Sequence, residues 1–70
     1  MKLQHIFDEY NKEMDIAIMM NQGDMPLTTK LKNLRMRFGG HFLDYNVKSV
    51  RILTNSQGKE YIEVYLRRYA

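Results

Sequence analysis

The chain has 70 residues, 44% of them hydrophobic and 27% charged, with a formal net charge of +3 and no cysteine. A length of this order holds one small domain, residues 1–70, which buries only about 60% of the surface its unfolded form exposes. The lack of cysteine excludes a disulfide scaffold, a thiolate zinc site and a cysteine nucleophile together.

Met1 to His5 lead directly into the acids Asp8 and Glu9 without an apolar signal-peptide core, so a cytoplasmic location is expected. The longest apolar run, Ile16 to Met20, is far short of the roughly 20 residues that span a bilayer, and no membrane partner is expected. Charge is divided unevenly. Residues 1–24 carry two basic and five acidic side chains, a net of −3, whereas residues 25–70 carry nine and three, a net of +6. Such halves either attract each other within the fold or face a charged partner, nucleic acid or an acidic protein surface.

Residues 3–20 carry the clearest helical pattern. Leu3, Ile6, Phe7, Tyr10, Met14, Ala17 and Ile18 fall within a stripe of about 120° on a helical wheel, opposite His5, Asp8, Lys12 and Asp15. Asp8 and Lys12 stand four apart in the favourable acid-first order. Ile16, Met19 and Met20 lie outside the stripe, so either the fold wraps this end or an apolar patch remains for a partner or a second copy of the chain. Asn21 to Pro26 then breaks the pattern with a glycine and the single proline. Leu27, Leu31, Leu34 and Phe38 follow at the spacing of a second, shorter helix with Thr28 as N-cap and Gly39-Gly40 as its end. Residues 34–38 also alternate as a strand would, but Leu27 and Leu31 fit only the helix.

His41 to Asn46 is a connection with room for a short strand at Phe42, Leu43 and Tyr45. Beyond it, Asn55-Ser56-Gln57-Gly58 matches a type I turn closed by a left-handed glycine, the bulged hairpin turn. Pairing Asn55 with Lys59 sets Ile52 beside Ile62, Val50 beside Val64 and Lys48 beside Leu66 on one face. The other face then pairs Leu53 with Tyr61, Arg51 with Glu63, Ser49 with Tyr65 and Val47 with Arg67. A tight two-residue turn would instead set Val50 against Glu63 and bury a carboxylate. The expected fold is therefore α+β: a long N-terminal amphipathic helix, a shorter basic helix and a C-terminal antiparallel hairpin over 47–54 and 59–69. The helices should pack on Val50, Ile52, Ile62, Val64 and Leu66. Leu3, Phe7, Tyr10, Met14, Ile18, Leu31, Leu34 and Phe38 should complete the core.

Two constellations carry chemistry. The outer hairpin face presents Arg51, Tyr61, Tyr65, Arg67 and Tyr69, with Arg68 at the end. Tyrosines two or four apart on a strand project together and can stack unpaired bases, while the arginines meet phosphates. Lys30, Lys32, Arg35 and Arg37 surround the apolar stripe of the second helix, and no acid occurs from Met25 to Leu43. That is either a solvated helix surface or a patch that tracks a phosphate backbone. His5 with Glu9, and His41 with Asp44, have the spacing of metal-ligand pairs, but nothing in the sequence brings the two together and no metal or cofactor is expected. A His5/His41 acid–base pair would need a preorganised pocket that so short a chain hardly provides, and no enzyme activity is expected. The expected role is a non-catalytic accessory protein that binds single-stranded DNA or RNA. The alternative is a regulator or inhibitor, of the kind small phage-encoded proteins provide, that docks on an acidic protein surface. Self-association into a homodimer through Ile16, Met19 and Met20 is a further expectation.

Overall fold

A computed structural model of the chain describes residues 1–20 and 25–67. The first helix, α1, spans only Leu3–Glu9 and buries Leu3 and Ile6. The expected long helix over 3–20 is thus corrected, and the cause is local. Asn11 Oδ1 accepts the backbone N–H of Glu13 at 2.9 Å, and Met14 N–H donates to Asn11 O at 3.0 Å. An Asx turn of this kind competes with helix continuation. Lys12 does not pair with Asp8. Its ammonium donates to the carbonyl of Phe7, near the C-terminal end of α1, and stands 4.5 Å from the Phe7 ring centroid.

Asp15–Met19 forms strand β1. Its near-continuous apolar character, odd on a helix, is what an interior strand flanked on both sides requires. Leu27–Lys30 forms β2, so these residues do not open a helix and Thr28 is not an N-cap. Thr28 and Thr29 pair with Ala17 and Ile16, and the connection is extended by Leu31 N–H to Met14 O at 2.8 Å. Two β-branched residues beside a waiting strand outweigh the helical spacing of Leu27 and Leu31. Helical structure starts only afterwards, as a 3₁₀ turn at Leu31–Asn33 and a five-residue helix α2 at Leu34–Phe38, which settles the ambiguity over 34–38. Gly39, with φ of 90°, ends α2 as expected.

Residues Gly40–Asp44 form a 3₁₀ helix in place of the expected short strand. It is held by stacked rings, Phe38 on Phe42 at 5.1 Å and Phe42 on Tyr45 at 4.8 Å between centroids. Val47–Thr54 and Glu60–Leu66 form strands β3 and β4, joined by the expected turn. Asn55 N–H donates to Lys59 O at 2.8 Å, Gly58 N–H donates to Asn55 O at 3.0 Å, and Gly58 has φ of 80°. The hairpin register is as expected from Ser49–Tyr65 to Thr54–Glu60. It shifts between Val47 and Ser49, so Val47 pairs with Leu66 rather than Arg67, and Lys48 becomes the extra residue of a bulge. The shift turns Val47 inward, where it is buried.

The four strands form one sheet in the order β2-β1-β4-β3, with β1 and β4 parallel and the outer pairs antiparallel. Leu3, Ile6, Leu31, Leu34, Phe42 and Leu43 cover one face and meet Ile16, Ile18, Val47, Ile62, Val64 and Leu66 in a single core. Phe7, Tyr10, Met14, Phe38 and Val50, expected in that core, only border it half-buried, and Ile52 is 39% exposed. No helix of the described residues is long and apolar enough to cross a membrane.

Candidate binding face on the open side of the sheet

The helices and 3₁₀ turns that fill the core all lie on one side of the sheet, and among the described residues the core cluster draws its strand side chains from that side. On that open side the strand registers align three rows of side chains. The first runs Lys30, Asp15, Tyr61, Leu53, the second Thr28, Ala17, Glu63, Arg51, and the third Met19, Tyr65, Ser49. Tyr61 and Tyr65 are four residues apart on β4, about 13 Å along the strand. Both are half-buried.

Between the two tyrosine rows lies the smallest side chain of the face, Ala17. Its larger neighbours leave it 8% exposed, and it forms the floor of an open depression of about 510 Å³. Tyr61, Glu63, Met19, Thr28 and Lys30 rise around it.

The charges of this face are matched in pairs. Arg51 donates to Glu63 Oε1 from Nε at 3.1 Å and from Nη2 at 2.5 Å. The hydrogen bond to Glu63, and then its negative charge, raise the pKa of Arg51 and keep the guanidinium charged. Glu63 is the more enclosed partner, with its side chain 15% exposed against 62% for Arg51. Lys30 stands 3.9 Å from Asp15 in a looser, exposed pair.

The ten residues expected to meet nucleic acid are therefore divided by the fold. Lys30, Arg51, Tyr61 and Tyr65 share the open face, and Arg67 follows the end of β4, its N–H bonded to Asn46 O at 2.9 Å. Lys32 leaves the group to bridge Glu13 at 3.1 Å. Arg35 and Arg37 are exposed on α2, in the layer on the opposite side of the sheet. Arg68 and Tyr69 lie outside the described residues. The apolar trio is divided too. Ile16 is fully buried and Met20 packs against the core, so these two form no surface patch; Met19 alone lies on the open side.

Among the described residues no group of three or more His, Asp or Glu side chains converges as a metal site. His5 Nε2 stands 3.5 Å from Glu9 Oε1. The helical spacings of residues 3–20 and 27–38 hide Asp15, Ala17 and Thr28, which lie on β1 and β2 and belong to this face. The signal was there in the alternation of Asp15, Ala17 and Met19 with Ile16, Ile18 and Met20. Comparison with protein-family models, with curated proteins and with solved structures finds no match to this chain.

Proposed function

We propose that this protein is a non-catalytic accessory factor that binds single-stranded nucleic acid across the open face of its sheet. The observation that supports the reading is the position of Tyr61 and Tyr65, projecting from an interior strand on the side that the helical layer leaves bare. Each ring offers a face for stacking an unpaired base, and the depression over Ala17 takes the intervening group. Arg51 and Lys30, at opposite borders, and Arg67 and Lys48 near the end of the hairpin supply the cations for phosphates. Arg35 and Arg37, on the far layer, are not part of this interface.

Titration of labelled single-stranded DNA and RNA at several salt concentrations tests the reading. Affinity should fall with salt at a slope near −0.7 per contacted phosphate. Tyr65→Ala should weaken binding by about 1–3 kcal/mol, roughly 5- to 150-fold, at unchanged slope. Absence of binding at low salt refutes the reading. A second reading, a regulator or inhibitor that docks on an acidic protein, is favoured by Arg35 and Arg37, which make no ion pair among the described residues. That reading places the partner on α2, and only there would an Arg35→Gln/Arg37→Gln variant lose binding.

A further inference from the structure

Strand β3 is the longest of the four and forms one edge of the sheet. Its backbone groups are committed unevenly. Because Asn55 faces Lys59 in the closing hydrogen-bonded pair, the alternation of an antiparallel ladder turns Leu53, Arg51 and Ser49 toward β4. The N–H and C=O groups of Val50, Ile52 and Thr54 then point away from the sheet. The start of the edge is already occupied, since Val47 N–H donates to Met1 O at 2.7 Å and Lys2 bridges Asn46. The bulge at Lys48 follows. Among the described residues, what stays open is a run from Ser49 to Asn55 whose middle residue is Ile52.

The side chains of that run are as incomplete as its backbone. Ile52 and Val50 face the helix-covered side, but the helical layer does not reach them fully: Ile52 is 39% exposed while its cross-strand partner Ile62 is fully buried. An edge of this kind is a template for another strand. The opposite edge, β2, differs. It has four residues and begins beside Pro26, which restricts pairing.

We propose that β3 pairs with β3 of a second copy of this chain, antiparallel, about a two-fold axis at Ile52. In this register Ile52 meets Ile52 of the copy, and Val50 meets Thr54 of the copy in both directions. These three hydrogen-bonded pairs exchange about six main-chain hydrogen bonds. On the open face Arg51 falls opposite Leu53 of the copy, so the two guanidinium groups are diagonal neighbours about 7–8 Å apart rather than directly opposed, each held by its own Glu63. Shifting the axis to Arg51 would oppose two guanidinium groups and would draw the Lys48 bulge into the ladder. An isologous contact also closes on itself, so assembly stops at two copies, whereas a β2-to-β3 contact would propagate. The resulting eight-stranded sheet buries Ile52 and Val50 and presents two open faces side by side. The inference stands apart from nucleic-acid binding, because it concerns an edge and not the tyrosine face.

Analytical ultracentrifugation from about 1 µM to about 1 mM, the range expected for so small an interface, tests the proposal. The wild-type mass should rise with concentration from 8.4 kDa toward twice that value and no further. Ile52→Lys, which sets two ammonium groups face to face on the axis, should abolish the rise and leave the far-UV circular dichroism unchanged. The chain lacks cysteine, so single-cysteine variants report the register. Under mild oxidation Ile52→Cys should cross-link two chains, since the paired Cα atoms of such a site lie about 5.5 Å apart. Ser49→Cys, three residues from the axis, should not. A strict monomer over the whole range overturns the proposal, as does a dimer that Ile52→Lys leaves intact or one that cross-links equally well through Ser49→Cys.

Discussion

Replacing Ile16 by alanine separates the strand from the helix that the periodicity of residues 3–20 first implies. On a helix Ile16 falls outside the apolar stripe, and its truncation would change stability by no more than about 0.5 kcal/mol. In the folded protein Ile16 is fully buried on an interior strand, paired with Thr29 on one side and Ile62 on the other. Truncation removes the equivalent of three carbons, and at about 0.8 kcal/mol each the transfer loss alone is about 2.4 kcal/mol. A cavity left between two fixed strands adds to this, giving a total of about 2.5–5 kcal/mol. A domain of this size is stable by about 4–10 kcal/mol, so the loss is a large share of the whole. Urea denaturation followed by circular dichroism, at low micromolar protein so that association does not contribute, measures it. Met36→Ala, at a side chain 80% exposed on α2, is the control and should stay within about 0.5 kcal/mol. A midpoint for Ile16→Ala indistinguishable from that of Met36→Ala would refute the burial of β1.

Gly58→Ala should destabilise by about 1–2 kcal/mol through its positive φ alone, since nothing lies within 4 Å of an added Cβ, and Gly58→Asn should cost less because asparagine tolerates that region. Equal midpoints for the two variants would contradict this. Ala17→Leu should fill the depression beside Tyr61 and reduce single-strand binding about tenfold, while any crowding of its close neighbours shows as a lowered thermal midpoint. Thermal melting and the nucleic-acid titration read the two effects separately, and binding that survives the filling would move the interface elsewhere.

The hairpin was legible in the sequence and the first half was not, for a physical reason. Between Val50 and Val64 the pattern is governed by contacts close along the chain: the turn residues fix the register, and two-residue alternation fixes the faces. The partners of β1 lie far away, β2 across the 21–26 connection and β4 more than forty residues on, and a parallel pairing leaves no turn to announce it. The stripe from Leu3 to Ile18 mixes two elements whose buried residues, Leu3 and Ile6 on a helix and Ile16 and Ile18 on a strand, happen to fit one wheel. Ala17 fits that wheel as a core residue, yet it floors the open face. Tyr61 and Tyr65 share one face in both sequence and structure because both belong to the hairpin. Arg35 and Arg37 fall in with them on charge alone, because no pattern in the sequence says on which side of the sheet the second helix packs.

The same division explains the charge asymmetry. The N-terminal acids do attract the C-terminal bases: Glu13 takes Lys32 and Asp15 takes Lys30. Glu63 takes Arg51 within the hairpin. These exposed pairs add little to stability, about 0–1 kcal/mol each, but they change what the face can do. A phosphate arriving at Arg51 or Lys30 must displace or share a carboxylate, whereas one arriving at Lys48 or Arg67 meets no such competitor in the ion pairs of the described residues. Electrostatics on the open face is therefore weak at its centre and stronger near the strand end, and the proposed single-strand affinity would have to come from stacking. On α2 the balance is reversed, with two guanidinium groups that make no ion pair among the described residues and no tyrosine from the sheet. A single strand satisfied by rings and an acidic protein satisfied by charge would thus choose opposite sides of the molecule. For this reason Tyr65→Ala and the Arg35/Arg37 variant, measured against the same ligand, cannot both be decisive for it.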